Sequence, residues 1–353
     1  VGEPSLQLRH AHRLARRRDF TYNELNRLTK EEWVTSGSTV NTLTFTYDGN
    51  SNLLTAQDAD GRITFTYDAV NRRDTQKDVW ALTLTFTYDA VGNRTKVQDS
   101  LSGVTTSTYN AVNLLSKREF GGSGLTPLRA DLTYTDRNQL ATVSRYSDLA
   151  GSTLVGSTTF TYDASKRLTN LQHRNGGGSL LANFTYTYDL GNRLENEVTN
   201  GTIKTFTYDA TNQLTNDGTA TYTYDLNGNR TITGYTTDTG NRLTNDGVYT
   251  YTYDDEGNLT RKSKGTSAET WDYTYDHWNH LLTAEKRDAV RGTLQMVATY
   301  VYDALGNRIE KRVDADGAGA GGVTTTRFAL DMAHPGGLPD VWADLDGSSS
   351  LTM

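Results

Sequence analysis

The sequence predicts an all-β protein: tandem antiparallel β-hairpin repeats forming one long coiled sheet, shell-like or solenoid-like. Three observations predict it. A Tyr-centred phrase recurs, as LTFTYDAVGNRTK from position 84, TFTYDATNQLTND from 205 and TYVYDALGNRIEK from 299. The residues before the Tyr alternate between aromatic side chains and Thr, a period of two. The residues after it are Asp, Asn and Gly, the chemistry of a tight chain reversal. A catalytic motif is needed once per site, so a phrase repeated this often reads as an architectural unit.

The units are anchored by Tyr22, Tyr47, Tyr67, Tyr88, Tyr109, Tyr134, Tyr162, Tyr188, Tyr208, Tyr224, Tyr253, Tyr275 and Tyr302. Two worn copies stand at Thr237-Asp238 and Leu330-Asp331. Spacing is about 20 to 29 residues, the length of a supersecondary unit, and contracts to about 13 to 16 between Tyr208 and Tyr253. The leading strand of each unit is half-buried: in Thr64-Phe65-Thr66-Tyr67, Thr85-Phe86-Thr87-Tyr88 and Thr185-Tyr186-Thr187-Tyr188, rings share one face and Thr the other. Helical spacing of three and four is absent from these phrases.

The turn is expected in two sizes. In one, Asn lies four residues after the Tyr, as in Asp68 with Asn71, Tyr109 with Asn113, and Asp209 with Asn212. In the other, an inserted residue puts Asn five residues on, usually after Gly, as in Asp89 with Asn93, Asp303 with Asn307, and Tyr224 with Asn229. Asp can bond the backbone two residues ahead, Asn and Gly tolerate positive φ, and the Gly form is expected to carry a bulge. The return strand often opens on Arg-Leu or Gln-Leu, as at Arg193-Leu194 and Gln213-Leu214. None of the four prolines (Pro4, Pro127, Pro335, Pro339) falls between 128 and 334, as a hydrogen-bonded ladder requires.

Three regions are expected: a basic lead-in over 1–19, the hairpin array over 20–331, and a segment over 332–353 that is open to continuing the array. One hairpin buries too few rings to offset the ordering of its backbone, so neighbouring units must stack.

Of 353 residues, 35% are hydrophobic, yet 21 are Tyr, an aromatic content that disordered chains of this polarity lack. The net charge of −7 argues against a nucleic-acid partner, and RHAHRLARRR at 9–18 reads as a solvated connection or strand edge. With no cysteine there is no disulfide, Cys-based zinc site or Cys nucleophile. No apolar run approaches the roughly 18 residues that span a bilayer. No signal peptide is visible and the chain opens on Val, so either upstream sequence is removed or the chain is a piece of a longer one.

The residues TYTYDLGNRL at 185–194 and TYVYDALGNRIE at 299–310 resemble the YD repeat of the rearrangement-hotspot (Rhs) family, shared by teneurins and the C components of insecticidal toxin complexes. The resemblance runs from about 20 to about 331. It implies hairpins spiralling into a hollow β-shell, which in bacterial toxins encloses a variable C-terminal effector and in teneurins serves cell-surface adhesion. Bacterial members often end on an Asp-Pro-x-Gly-Leu-like segment tied to self-cleavage. Here the nearest string is His334-Pro335-Gly336-Gly337-Leu338, with His in place of Asp, and no proteolytic role is carried over.

Other candidate chemistry resolves into turns. His277 and His280 have ligand-like spacing, but TYDHWNHLLT aligns with the repeat, Asn279 in its Asn slot and His280 in its Arg slot. A dozen equivalent Asp residues make no acid–base pair; capping the turn and facing the following Arg is their expected role. DADG at 58–61, DDEGN at 254–258 and DLDG at 344–347 lack the ligand series of a calcium loop. Packing is the favoured role of the aromatic rows; Trp33, Trp80, Trp271, Trp278 and Trp342 fall outside the Tyr slot, and surface contact stays open for some of them.

The expectation is therefore a non-enzymatic wall section of a secreted or cell-surface β-shell, with no catalytic residues, cofactor or metal. Its expected partners are further YD repeats of the same longer chain or identical copies of itself, with an enclosed toxin domain or a glycan as further options. Nucleic acid and membrane-spanning roles are not expected. A self-assembling extracellular filament and an adhesion or carbohydrate-binding module stay open as alternatives.

Overall fold

The structure, a computed structural model, describes residues 16–317, 319, 321–333 and 339–350. The string His334-Pro335-Gly336-Gly337-Leu338 and the histidines at 10 and 12 lie outside them. Among the described residues every regular element is a strand, and none is a helix. The chain divides into two compact units, one from residues up to Leu82 together with those from Thr250 onward, the other from Thr83–Tyr249.

The first unit opens with β1 (Arg16–Tyr22), β2 (Leu28–Thr35), β3 (Ser38–Tyr47), β4 (Leu53–Gln57), β5 (Arg62–Tyr67) and β6 (Arg73–Lys77). Each pairs antiparallel with the next.

The second unit holds β7 (Thr83–Tyr88), β8 (Arg94–Asp99), β9 (Gly103–Tyr109), β10 (Leu115–Gly122), β11 (Leu128–Tyr134) and β12 (Leu140–Tyr146). It continues through β13 (Leu154–Tyr162), β14 (Leu168–Asn175), β15 (Leu180–Tyr188), β16 (Leu194–Thr199) and β17 (Thr202–Thr205). These again pair in sequence order. Two short hairpins follow, β18 (Thr207–Tyr208) with β19 (Leu214–Asn216) and β20 (Tyr235–Thr237) with β21 (Leu243–Asp246).

The chain then rejoins the first unit as β22 (Thr250–Tyr253), β23 (Leu259–Ser263), β24 (Thr270–Tyr275), β25 (Leu281–Arg287), β26 (Leu294–Tyr302), β27 (Arg308–Asp314), β28 (Val323–Asp331) and β29 (Asp340–Leu345), a second meander.

The period-two pattern explains which face is buried. Leu43 and Phe45 on β3, Ile63 and Phe65 on β5, and Leu84 and Phe86 on β7 are all buried. The alternate threonines are exposed or half-exposed, and many pair across the strands: Thr46 with Thr55, Thr66 with Thr75 and Thr274 with Thr283, each at 2.7 Å. Such pairs satisfy each other's hydroxyls on the solvent face and add a few tenths of a kcal/mol apiece.

The two expected turn sizes prove to be one turn. Tyr67 pairs with Arg73 in the Asn form, and Tyr88 pairs with Arg94 in the Gly form, six residues on in both. Nothing is inserted. The fourth residue after the Tyr always has positive φ, whether Asn71 (64°), Asn212 (68°), Gly92 (95°) or Gly306 (82°). What changes is the occupant of that one backbone position, because Asn and Gly are the residues that enter the left-handed region most readily. The bulge is likewise common to both forms, falling at Thr66/Tyr67 and at Thr87/Tyr88.

The equivalence predicts how substitutions divide. A Cβ at Gly92 would meet nothing within 4 Å, so Gly92→Asn should shift stability by no more than about 1 kcal/mol. At Gly306 a Cβ would lie 3.0 Å from His280 Cε1 and 3.2 Å from the Trp278 ring, and Gly306→Asn should cost about 1–3 kcal/mol. Urea unfolding of the two variants separates the cases.

In the first unit, Trp33, Leu43, Phe45, Ala56 and Ala304 form a buried cluster, with Trp278 and Leu305 packed against it. Turn residues that follow β24 and β26 thus seat on β2, β3 and β4. Trp33 is 9% exposed, so among the off-repeat tryptophans it is core and not one of the surface contacts. The reason is its alternate position on β2, facing the Trp278 ring edge-on at 5.4 Å. Gln76, also buried, closes the far side of the unit: its Nε2 donates to the Leu330 carbonyl at 2.6 Å and its Oε1 accepts from Met332 N at 3.1 Å.

Candidate functional site

The repeat residues form a device that recurs along the chain. The Tyr is its brace. Its hydroxyl donates to the backbone carbonyl that opens the return strand of the preceding hairpin: Tyr47 to Leu28, Tyr67 to Leu53, Tyr109 to Arg94, Tyr134 to Leu115 and Tyr162 to Leu140. The same bond joins Tyr188 to Leu168, Tyr208 to Leu194, Tyr224 to Leu214, Tyr275 to Leu259 and Tyr302 to Leu281, over a range of 2.6–3.0 Å. The accepting carbonyl sits beside the bulge, where the ladder is interrupted and an acceptor is free. Tyr88 and Tyr253 close their hairpins in the same register. Tyr22 is 56% exposed and its hydroxyl has no partner among the described residues.

The residue after each Tyr, Asp in most units and Asn23, Asn110 or Thr135 in the others, ties the turn. Asp68 Oδ1 accepts the backbone N–H groups of Val70 and Arg72, Asp89 those of Val91 and Asn93, Asp209 those of Thr211 and Gln213, and Asp303 those of Leu305 and Asn307. The residue five after the Tyr holds the second oxygen. Asn93 Nδ2 reaches Asp89 Oδ2 at 2.9 Å, Asn307 Nδ2 reaches Asp303 Oδ2 at 3.1 Å, and Arg72, Arg167 and Arg193 Nε do so from 2.6 to 2.7 Å. In the turn between Tyr275 and Leu281, His280 takes that place, its Nδ1 3.0 Å from Asp276 Oδ2, while Asn279 (φ 64°) occupies the positive-φ position.

That same fifth residue also reaches the neighbouring turn. Asn52 Nδ2 donates to Asn71 Oδ1, Asn93 Nδ2 to Asn113 Oδ1, and Arg193 Nη1 to Asn212 Oδ1, at 2.8–3.1 Å. Arg27, Arg167 and Arg193 additionally lie over the ring of the next Tyr at 4.7–4.9 Å, and the His280 ring stacks on Tyr302 at 4.5 Å. Adjacent hairpins are therefore stitched three times, by the backbone ladder, the Tyr hydroxyl and the turn side chains. The sequence pattern marks the Asp, the Asn and the Tyr but not the stitch between turns, whose signal is that an Asn in the fourth place follows an Asn or Arg in the fifth place of the preceding unit.

The acids split into two classes. Side-chain bonds from Asn93 and Asn52, and backbone bonds at the Arg turns, hold Asp89, Asp48, Asp163 and Asp189 below the usual carboxylate range. Burial pushes Asp58 and Asp78 up to about 6 and also raises Asp303. A raised native pKa means that the folded form holds a proton the unfolded chain has released, so stability falls as pH rises through that interval. The turn acids act in the opposite sense, losing stability as pH drops below the ordinary Asp value of about 3.9. The first unit should thus be more resistant to urea near pH 5 than at pH 7.5, and weaken again below about pH 4, read by tryptophan fluorescence.

Among the described residues, no group of three or more His, Asp or Glu side chains has the arrangement to hold a metal ion. No helix is long and apolar enough to cross a membrane.

A tyrosine that braces each hairpin to the one before it, over an Asp-tied turn, defines a YD-repeat β-hairpin protein. The chain belongs to the teneurin YD-shell family, whose profile matches residues 81–290. Curated proteins contain no match. Among solved structures the chain is similar to the Photorhabdus luminescens Tc holotoxin pore, at 12% identity and a TM-score of 0.55 over 95% of this chain. It spans 22% of that chain's length. A TcdB2–TccC3–TEV crystal structure aligns over 89% of this chain and 19% of its own, at 12% identity and a TM-score of 0.34.

Proposed function

We propose that this chain is a section of the wall of a secreted or cell-surface β-shell, that its work is mechanical rather than catalytic, and that the shell encloses a toxin. The observation that carries the reading is the Tyr hydroxyl bond repeated from hairpin to hairpin, since it spends the most distinctive residue of most units on cohesion. Membership of the YD-shell family and the fold shared with the Tc holotoxin pore support the enclosing role. Partners on this reading are further YD hairpins, from the same longer chain or from a copy, and Tyr22 with its unpartnered hydroxyl is where one would add.

Limited proteolysis of the product of the whole reading frame tests the enclosure. A segment held inside the wall should resist protease until the wall unfolds, then be cut at the rate of the same segment made alone. Cleavage at that rate from the start would rule enclosure out.

A further inference from the structure

The turn after β6, residues 78–82, copies the repeat turn with Lys77 in the Tyr place. Asp78 N donates to the Leu82 carbonyl at 3.0 Å and Ala81 N to the Asp78 carbonyl at 3.2 Å, the pattern of Asp89 with Asn93 and Gly92. Asp78 Oδ1 accepts from Trp80 N and Leu82 N, each at 2.9 Å. The side chains depart from the pattern. Ala81 (φ 69°) fills the positive-φ place, with neither the freedom of Gly nor the local bonding of Asn. Leu82 fills the fifth place, from which Asn or Arg elsewhere donates to the second carboxylate oxygen. Asp78, 5% exposed, therefore keeps a buried Oδ2 with no donor among the described residues, and Trp80 Nε1 is buried without an acceptor in the same turn.

This turn is one half of a reciprocal pair. Trp278, from the turn after β24, seats on the first meander, where Arg18 lies over its ring at 5.7 Å and Glu31 accepts its indole N–H. Trp80, from the first meander, seats on the second, where the Arg327 guanidinium of β28 lies over its ring at 4.3 Å. Arg327 Nε donates to Glu310 Oε2 on β27 at 2.8 Å, and Glu310 is fully buried. Each clasp is thus a Trp, an Arg and a buried Glu. They differ in completeness: Glu31 accepts its indole, whereas Glu310 is taken up by Arg312 and Arg327 and leaves Trp80 unbonded.

We propose that the Trp80 clasp is a proton-dependent latch on the first unit, shut while Asp78 carries a proton and opening ahead of the Trp278 clasp when Asp78 ionises. Ionisation puts charge on a buried oxygen to which nothing donates. The charges that face Asp78 are Asp303, from the turn after β26 and itself 2% exposed, and Lys77 beside it on β6. Arg327, over the Trp80 ring, is already engaged by Glu310. Burial, with the Asp303 charge behind it, pushes the Asp78 carboxyl up to about 6. In an opened turn water solvates the carboxylate and its pKa returns to about 3.9. Opening therefore grows as pH rises through that interval, by about tenfold between pH 5 and pH 7.5 for this pair of values. Asp58 titrates over the same interval from the β4–β5 connection and faces the same Asp303, so a variant must assign the effect to Asp78.

The test is native-state hydrogen exchange on the intact chain at pH 5 and pH 7.5, corrected for intrinsic rates and read at the amides of Trp80 and Leu82. Their opening constants should exceed those of the β3 amides at both pH values and rise about tenfold between them. The amides of Trp278 and His280, bonded to Asp276 Oδ1 in the other clasp, should stay better protected at pH 7.5. Asp78→Asn keeps the acceptor for Trp80 N and Leu82 N and cannot ionise, so its rise should shrink to about twofold or less while the β3 amides keep their protection. Opening at Trp80 and Leu82 that is flat with pH, that only matches β3, that is no greater than at Trp278, or that rises as steeply in Asp78→Asn would each overturn the proposal.

Discussion

Replacing Glu31 by alanine is expected to lower the unfolding free energy of the first unit by about 3–5 kcal/mol. Glu31 is 1% exposed, and one oxygen, Oε1, accepts three donors: Arg18 Nε at 2.6 Å, Trp33 Nε1 at 2.8 Å and Trp278 Nε1 at 2.9 Å. Burial by itself would raise this carboxyl, but the bonds from Arg18, Trp33 and Trp278 outweigh it and hold the group below the ordinary range. Alanine would leave the buried Trp33 indole N–H, the half-buried Trp278 indole N–H and the Arg18 guanidinium without their acceptor, and would open space beside Trp33. Glu31→Gln retains a carbonyl acceptor for the indoles and removes only the charge, so its cost should be about 1.5–3 kcal/mol. Because the native pKa is depressed, the wild-type advantage is complete above the unfolded Glu value of about 4.3 and is lost as pH falls through the lower native value. Urea titrations of the three proteins at pH 7 and pH 3 read this directly. A difference between wild type and Glu31→Gln that is the same at both would contradict the charge argument.

The second large effect is expected at Tyr302. Its ring stacks on His280 and its hydroxyl donates to the Leu281 carbonyl at 3.0 Å, so Tyr302→Ala removes the stack and the brace together. The expected cost is about 3 kcal/mol, the lower end for an aromatic truncation, because the ring is half-buried. Tyr302→Phe keeps the stack and should cost about 1 kcal/mol, the net value of one hydrogen bond. Equal losses for Phe and Ala would place the whole effect in the hydroxyl; no loss for Phe would remove the hydroxyl from the account.

These residues also show how far sequence pattern reaches. The hairpins were legible because alternation and turn chemistry are local: Phe86 and Tyr88 announce a strand, and Asp89 through Asn93 announce its end. The identity of the two turns was not, because counting from Tyr to Asn compares different backbone positions. Counting from Tyr67 to Arg73 and from Tyr88 to Arg94, the residues that pair, gives one length. The Glu31 node was not legible at all. Trp33 and Trp278 were visible only as rings outside the Tyr slot, and nothing local brings residues 31 and 278 together; that contact follows from how the turn after β24 packs on β2.

The most direct measurement of the brace is native-state hydrogen exchange on Tyr188→Phe, inside the second unit. Tyr188 donates to Leu168 at 2.7 Å, so the amides of β14 and β15 should lose about 1 kcal/mol of protection while circular dichroism stays unchanged. Exchange identical to wild type throughout those two strands would show that the hydroxyl binds nothing of consequence, and the tyrosines would then be ordinary packing residues with no part in joining one hairpin to the next.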